Sequence, residues 1–175
     1  MNFLKVLLLL VATFLATACA SNVQQNVNQP VELQSGKVQT IYLVISGRPA
    51  ITQDSSYLQS VDELRNGIRE ELKKAMPSAH LVHGKAPEAG IKANLTIEDF
   101  RYVSGAARFM TGIMVGKARL QVRVELTDLS TGKKVGESAF GTSSNTSEGI
   151  FGGTTSRQLE AVAVSVATML RSTSK

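Results

Sequence analysis

Hydrophobic and polar residues alternate in the second half of the chain, and this alternation predicts β-strands. The clearest case is residues 117–129, where every second residue from Ala118 to Leu126 is apolar and the residues between them are polar or charged. A strand of this kind has one face in a hydrophobic core and the other in water, as in antiparallel sheets. The turn STGK, residues 130–133, leads into a partner strand with the sequence VGESAFGT, residues 135–142.

Three further segments are predicted to be strands. The sequence KVQTIYLVIS, residues 37–46, is rich in β-branched residues and apolar on both faces, which indicates a strand covered on both sides. A short strand is predicted within AHLVHG, residues 79–84. In the third, KANLTIEDFRYVS, the apolar residues change parity between Ile97 and Phe100, so we expect a β-bulge near Glu98 that keeps both groups in the core.

Two segments have the periodicity of amphipathic helices. From Leu58 to Ala75, apolar residues recur at spacings of three and four, and a second stripe of this kind follows Thr155. Each helix is predicted to begin with a capping box, formed by Ser56 with Gln59 and by Thr155 with Gln158.

The order of these elements is β-α-β-β-β-β-α, within one domain at residues 37–175. Runs of strands between two helices predict an α+β fold. We expect a mostly antiparallel sheet of about five strands with both helices packed on one face, which leaves the other face open to solvent.

Residues 1–18 form a predicted signal peptide that is removed. A basic start, the apolar segment VLLLLVATFL and the small residues ATA follow one another, and the apolar run is shorter than the about 20 residues of a transmembrane helix.

The single cysteine, Cys19, comes directly after the predicted signal peptide. The segment resembles a bacterial lipobox, with Ala16 where leucine is usual, and lipidation accounts for a lone cysteine in an exported protein. The alternative is ordinary cleavage after Ala18, which would release a soluble protein.

Residues 19–36 are predicted to be the lipidated cysteine and a flexible tether. The segment is rich in Asn and Gln, and it cannot bury enough apolar surface to offset the entropy of ordering. Ala20 and Ser21 follow the cysteine, so the aspartate that retains enteric lipoproteins in the inner membrane is absent. We therefore expect an outer-membrane lipoprotein that faces the periplasm.

The sequence contains no recognisable catalytic or metal-binding pattern. His80 and His83 are the only histidines, and a structural zinc site needs more ligands than these two supply. Glu98 and Asp99 are neighbours, which on a regular strand would point to opposite faces and make a poor acid–base pair. We expect no metal, no cofactor and no enzymatic activity; a small periplasmic hydrolase or envelope-modifying enzyme is the alternative.

The charge distribution points to an anionic partner. The chain has a formal net charge of +5, and the segment from Arg101 to Lys134 holds seven basic residues and two acidic ones. Lys117, Arg119 and Arg123 lie on the predicted open face of one strand, and we call them the basic stripe. Export argues against nucleic acid, so an anionic envelope component or an acidic protein is the expected partner; the alternative is an ordinary solvated face.

The second half of the chain resembles a family of bacterial lipoproteins that is known only as a domain of unknown function. Gly-Lys-Ala at 116–118 enters the alternating strand, Thr-Gly-Lys at 131–133 forms the turn, and Phe-Gly-Gly at 151–153 precedes the last helix. The resemblance covers roughly residues 101–170 and implies a lipoprotein, but it brings no catalytic residues. The sequence therefore predicts a lipid-anchored cell-envelope protein, a non-catalytic binding or scaffolding module.

Overall fold

A six-stranded sheet organises the computed structural model, which describes residues 23–32, 40–104, 118–143 and 155–174. In chain order, the elements are β1 (Val23–Gln29), β2 (Thr40–Gly47), α1 (Pro49–Thr52), α2 (Tyr57–Ala75), β3 (His80–Val82), β4 (Ile91–Arg101), β5 (Arg119–Asp128), β6 (Lys134–Ser143), α3 (Thr155–Arg171) and a final 3-10 turn (Ser172–Ser174).

The sheet is mixed, with the strand order β1-β6-β5-β4-β2-β3. Strands β1, β6, β5 and β4 pair antiparallel, whereas β2 pairs parallel with both β4 and β3. The parallel pair β2–β3 follows from helix α2, because a crossover helix returns the chain to the end of the sheet at which the first strand began. The predicted α+β class is therefore correct, while the sheet has one more strand than expected and is antiparallel only in part.

The additional strand, β1, lies within the segment that was predicted to be a tether. Val23–Gln29 pairs antiparallel with β6, and Val23 lies opposite Thr142. The side-chain amide of Gln25 also donates to the hydroxyl of Ser138, at 3.3 Å. The prediction of a tether throughout residues 19–36 is therefore wrong for this part. An edge strand gains its order from backbone hydrogen bonds to one neighbour, and these do not depend on apolar side chains.

One face of the sheet carries the hydrophobic core. The alternate residues from Ala118, just before β5, to Leu126 are all buried, as predicted: Ala118, Leu120, Val122, Val124 and Leu126. Helices α2 and α3 pack against each other and share this core with the sheet. They approach each other closely at Gly67, where an added Cβ would lie 2.9 Å from the Cβ of Ala163. A larger residue at this position would force the two helices apart.

Strand β4 contains the predicted bulge. Ile97 lies opposite Val122 and Asp99 lies opposite Gln121, so Glu98 is the extra residue. Beyond the bulge, Phe100 lies opposite the buried Leu120 and packs against the core. The change of parity in the sequence therefore marks a bulge and not the end of the strand.

Helix α2 begins differently from the prediction. The side chain of Ser56 makes no capping bond; its backbone N–H and its hydroxyl both donate to the carboxylate of Asp54, at 2.8 and 2.5 Å. Gln59 donates to the carboxylate of the next helical turn rather than to the cap. Tyr57 is buried, whereas Leu58 is 72% exposed and does not belong to the apolar stripe.

Helix α3 is tied to the sheet by the two residues that were expected to form its capping box. Thr155 accepts a hydrogen bond from the backbone N–H of Val103 at 2.8 Å, and its own N–H donates to the carbonyl of Val103 at 3.2 Å. The side-chain amide of Gln158 donates to the carbonyl of Ala118 at 3.2 Å. Both side chains are buried, so they fix the start of α3 against the ends of two strands instead of capping the helix.

We predict that Leu126→Ala destabilises the domain by about 2–5 kcal/mol, because the fully buried side chain leaves a cavity in the shared core. Gln121→Ala, on the exposed face of the same strand, should change stability by less than about 0.5 kcal/mol. Urea unfolding of both variants measures the difference. Equal losses of stability would contradict the assignment of the two faces of β5.

Candidate functional site

The described members of the basic stripe lie on the open face of the sheet. Arg119 and Arg123 point away from the core, with side chains 56% and 45% exposed. Lys117 and Cys19 lie outside the described residues. The structure therefore places two of the three stripe residues and leaves the lipidation site a prediction.

Arg123 lies between two carboxylates from the neighbouring strands. Its Nε is 2.7 Å from Oε1 of Glu98 on β4, and its Nη1 is 3.0 Å from Oε1 of Glu137 on β6. Glu98 also lies 3.8 Å from the guanidinium of Arg48, just beyond β2. The pKa of Arg123 is raised, chiefly by the hydrogen bond that it donates to Glu98 and next by the one that it donates to Glu137.

Glu137 is the most strongly held carboxylate of this face. Its side chain is only 12% exposed, and it accepts hydrogen bonds from Nζ of Lys134 at 2.6 Å and from Nδ2 of Asn28 at 2.9 Å, besides that from Arg123. Together these donors lower the pKa of Glu137 to about 2, with Lys134 as the largest cause. We call the residues joined in this way the open-face network: Arg48, Glu98, Arg123, Glu137, Lys134 and Asn28.

The ion pairs on the described part of the open face contain equal numbers of basic and acidic residues. Four bases meet four acids there: Arg48, Arg119, Arg123 and Lys134 with Glu98, Asp99, Glu125 and Glu137. Three of these acids were missing from the count of charges between Arg101 and Lys134, because they lie outside that segment, on the adjacent strands. At the position of Arg123 the basic stripe is therefore part of an ion-pair network and not an open positive patch.

The bulge also changes the arrangement of Glu98 and Asp99. On a regular strand the two side chains would point to opposite faces, as the sequence predicted. Because Glu98 is the extra residue of the bulge, both carboxylates lie on the open face: Glu98 contacts Arg123, and Asp99 lies 3.7 Å from Nε of Arg119. Each acid has a separate arginine partner, which makes them members of ion pairs.

The ends of several strands, the start of helix α3 and two arginines lie at one end of the sheet. Strand β4 ends at Arg101, directly opposite Arg119 at the start of β5. Val23 begins β1 there, Ser143 ends β6 there, and α3 starts there at Thr155 through its bonds to Val103. We call this the Arg101 end; the turn after β5 lies at the opposite end.

Other candidate sites of the sequence are not assembled in the described part of the chain. His80 lies on β3 and His83 just after it, and the described residues contain no group of three or more His, Cys, Asp or Glu side chains with the geometry of a metal site. None of the helices among these residues is both long and apolar enough to cross a bilayer.

Comparison of the sequence with known families identifies a match over residues 31–146, to a domain of unknown function, DUF4410. The chain belongs to the DUF4410 family. The family resemblance expected from the sequence is thereby confirmed, whereas the lipoprotein character remains a prediction. Among curated proteins, none matches this DUF4410 chain significantly.

Several solved structures share the fold of this DUF4410 protein. The PelC dodecamer from Paraburkholderia phytofirmans matches in two crystal forms with a TM-score of 0.53, at 14% and 15% identity, over 86% of this chain and 97% of the other. A DUF330 protein from Xanthomonas campestris matches with a TM-score of 0.53 at 10% identity, over 82% of this chain and 95% of the other. At such identities the likeness shows the fold alone.

We predict that the open-face network makes the stability of this DUF4410 domain depend on pH through Glu137. A carboxyl group with a lowered pKa in the folded state stabilises the fold above its unfolded pKa, near 4.5, and this contribution is lost as the pH falls toward about 2. Wild-type stability should therefore fall between about pH 5 and pH 2, and Glu137→Gln should show a shallower fall.

The measurement is urea unfolding at a series of pH values from neutral to strongly acidic. Glu88→Gln, which removes an exposed carboxylate in the loop before β4, is the matched control and should keep the wild-type slope. If the stability of Glu137→Gln falls with pH in parallel with that of the wild type, the network does not selectively stabilise the ionised carboxylate of Glu137.

Proposed function

We propose that this protein is a lipid-anchored component of the bacterial cell envelope and acts as a non-catalytic scaffolding or binding module. The observation that carries this proposal is the position of Cys19 relative to the fold. Only three residues separate it from Val23, where β1 begins. A lipid on Cys19 would therefore connect almost directly to the sheet, at a distance of at most about 14 Å for four extended residues.

The anchor itself follows from the leader and the lone cysteine. We infer an outer-membrane location facing the periplasm from Ala20 and Ser21, which follow the cysteine in place of a retention signal. By the lipobox resemblance several acyl chains would be attached to Cys19, and anchoring by more than one chain is stable where a single chain is not.

The scaffolding role is supported by the edge of the sheet. Strand β1, with the sequence VQQNVNQ, is an edge strand without a charged residue or a proline. Natural edge strands usually carry charges, prolines or bulges that block pairing with other chains. Of the described residues, only those of β6 pair with β1, and none pairs with its outer side. Its register shift lies at the far end, between Val27 and Gln29.

We infer that the added strand comes from a second copy of this chain. PelC, which has the same fold, is a dodecamer, and this supports an assembly of copies as the working form. Main-chain pairing along an uncharged edge is a general mode of association that needs no catalytic or charged groups. The protein would thus serve as a repeating unit held at the membrane.

Cys19→Ser tests the anchor. We predict that this variant takes up no acyl analogue and keeps its signal peptide, because lipoprotein processing depends on the modified cysteine. Metabolic labelling with the analogue and membrane fractionation measure both effects beside the wild type. A wild-type protein that takes up no label and is released as a soluble chain beginning at Cys19 would favour ordinary signal peptidase cleavage and overturn the anchor.

Val27→Lys tests self-association through β1. Val27 is 52% exposed on the edge strand, and a lysine there should block the addition of a strand. We predict that the wild-type lipoprotein in detergent is oligomeric by light scattering and that Val27→Lys shifts it to the monomer. Val164→Lys makes the same substitution at an exposed valine of α3; it is the control and should leave the oligomer intact. A monomeric wild type would contradict the proposal.

A further inference from the structure

Strands β1 and β3 form the two edges of the described sheet. In the part of the chain that the structure describes, β3 pairs only with β2, just as β1 pairs only with β6. Strand β3 has the sequence HLV, so neither edge contains a lysine, an arginine, a carboxylate or a proline. Residues of these kinds usually prevent edge strands of different chains from pairing. Both edges therefore lack the usual protection.

The two edges run in opposite directions. Strand β1 begins at the Arg101 end, because Val23 lies opposite Thr142 near the end of β6. Strand β3 runs parallel to β2, which runs parallel to β4, and β4 ends at Arg101. When two copies lie side by side in the same orientation, β1 of one copy is therefore antiparallel to β3 of the next. The helices of both copies then lie on the same side of the sheet.

Each edge has an apolar side chain on the face that carries the helices. Val27 lies opposite Ser138, which in turn lies opposite the buried Val124, yet Val27 itself is 52% exposed. Leu81 lies opposite the buried Ile41 and is only partly buried, at the margin of the core. Antiparallel pairing of β1 with β3 would bring these two side chains together on one face, where cross-strand apolar pairs stabilise a sheet.

Pairing of β1 with β1 of another copy does not meet both conditions. In an antiparallel pair the two strands begin at opposite ends, so the two lipid anchors would lie on opposite sides. In a parallel pair, a two-fold axis along the strands turns one copy over, so its helices and its Val27 lie on the other face of the sheet. The pair of β1 with β3 keeps the anchors on one side and also brings exposed apolar side chains together.

We propose that β1 of each copy pairs antiparallel with β3 of the next copy, with Val27 opposite Leu81. The proposal rests on the self-association and the lipid anchor of the proposed function, and it names the strand that β1 receives. Because the two edges differ, the contact is head-to-tail, and every copy between two others uses both of its edges.

The proposed register displaces neighbouring copies along the strands. Within one chain, Val27 lies in the row of Val124, whereas Leu81 lies in the row of Ile91 and Asp128. These rows are four residues apart on β5, which corresponds to about 13 Å. Tilted strands, as in β-barrels, accommodate such a displacement while every copy stays at the same height above the membrane.

The contact is short, which determines where it forms. Strand β3 contains three residues, and a short edge strand offers few main-chain hydrogen bonds. Anchors that confine the copies to one bilayer or micelle raise their effective concentration, and closure of a ring gives each copy two contacts. The association is therefore expected of the acylated protein, and the experiments use that form.

Edge-blocking variants distinguish this contact from pairing of β1 with β1. Val27→Lys blocks β1, and His80→Lys with Val82→Lys blocks β3 from the open face, away from the core. We expect each acylated variant in detergent to be monomeric by native mass spectrometry. Their equimolar mixture should form a heterodimer and nothing larger, because it contains one intact β1 edge and one intact β3 edge.

Val164→Lys with Thr168→Lys, which adds two lysines to the exposed face of α3, is the matched control and should keep the wild-type oligomer. If the variant blocked at β3 is as oligomeric as the wild type, β3 is not the partner of β1. A mixture without heterodimer also overturns the proposal, provided that thermal unfolding shows both variants to be folded.

Cysteine crosslinking gives a second measurement that leaves both edges uncharged. Val27→Cys and Leu81→Cys are made in separate chains, since the native cysteine is acylated. A short thiol crosslinker should join the two variants in a mixture but neither variant to itself. Within one chain the two positions lie five strand spacings, or about 24 Å, apart, so the crosslink forms between copies.

A chain that carries both cysteines should give a ladder of crosslinked species beyond the dimer, because head-to-tail contacts continue from copy to copy. Crosslinking of Val27→Cys to itself, without reaction in the mixture, would show pairing of β1 with β1 and overturn the proposal.

Failure of the proposed function gives a different result from failure of this contact. A monomeric wild-type lipoprotein contradicts self-association altogether, and a purified protein whose mass shows no acyl chains contradicts the anchor. An acylated, oligomeric wild type whose assembly depends on β1 but not on β3 contradicts only the assignment of the partner strand.

Discussion

The pairing of β5 with both β4 and β6 is the constraint on which the rest of the structure depends. Strand β5 lies inside the sheet, and its alternate residues from Ala118 to Leu126 are buried under the two long helices. A shift of one residue in its register would place Arg123 in the core and Val122 or Val124 in water. The core, the open-face network and the Arg101 end therefore all follow from a single register.

The open-face network specifies the register of β5 more than it raises the free energy of unfolding. Exposed ion pairs contribute little individually, typically about 0–1 kcal/mol, so the contacts of Arg123 and Lys134 are weak evidence for a stabilising role. Glu137 differs, because at 12% exposure it is held by donors from β1, from β5 and from its own strand. These side chains meet only when β1, β4, β5 and β6 are correctly aligned, so the network favours the native alignment over slipped ones.

The sequence predicts the parts of the fold that have a local period. Residues that face the core must be apolar, so they recur at a regular spacing along the chain. This spacing predicts the alternation of β5, the stripe of α2 and the parity change at Glu98. Strand β1 has no such period, since its pairing is made by the backbone and its side chains, apart from Val23 and Val27, are Asn and Gln. The ion pairs are hidden for a further reason: Arg123 and Glu98 are 25 positions apart, and Asn28 and Glu137 are 109 positions apart. Only the register of the sheet brings them together.

The proposed lipid anchor and the proposed pairing along β1 restrict each other through the direction of β1. Copies that pair along β1 and are anchored in one membrane must all begin this strand on the side of the membrane. Two β1 strands paired antiparallel would place their Arg101 ends on opposite sides, and only one copy could keep its anchor in the bilayer. Parallel pairing of β1 with β1, or antiparallel pairing of β1 with β3 of the next copy, leaves every anchor on the same side. The second arrangement is head-to-tail and closes into a ring when the rotation between copies allows it.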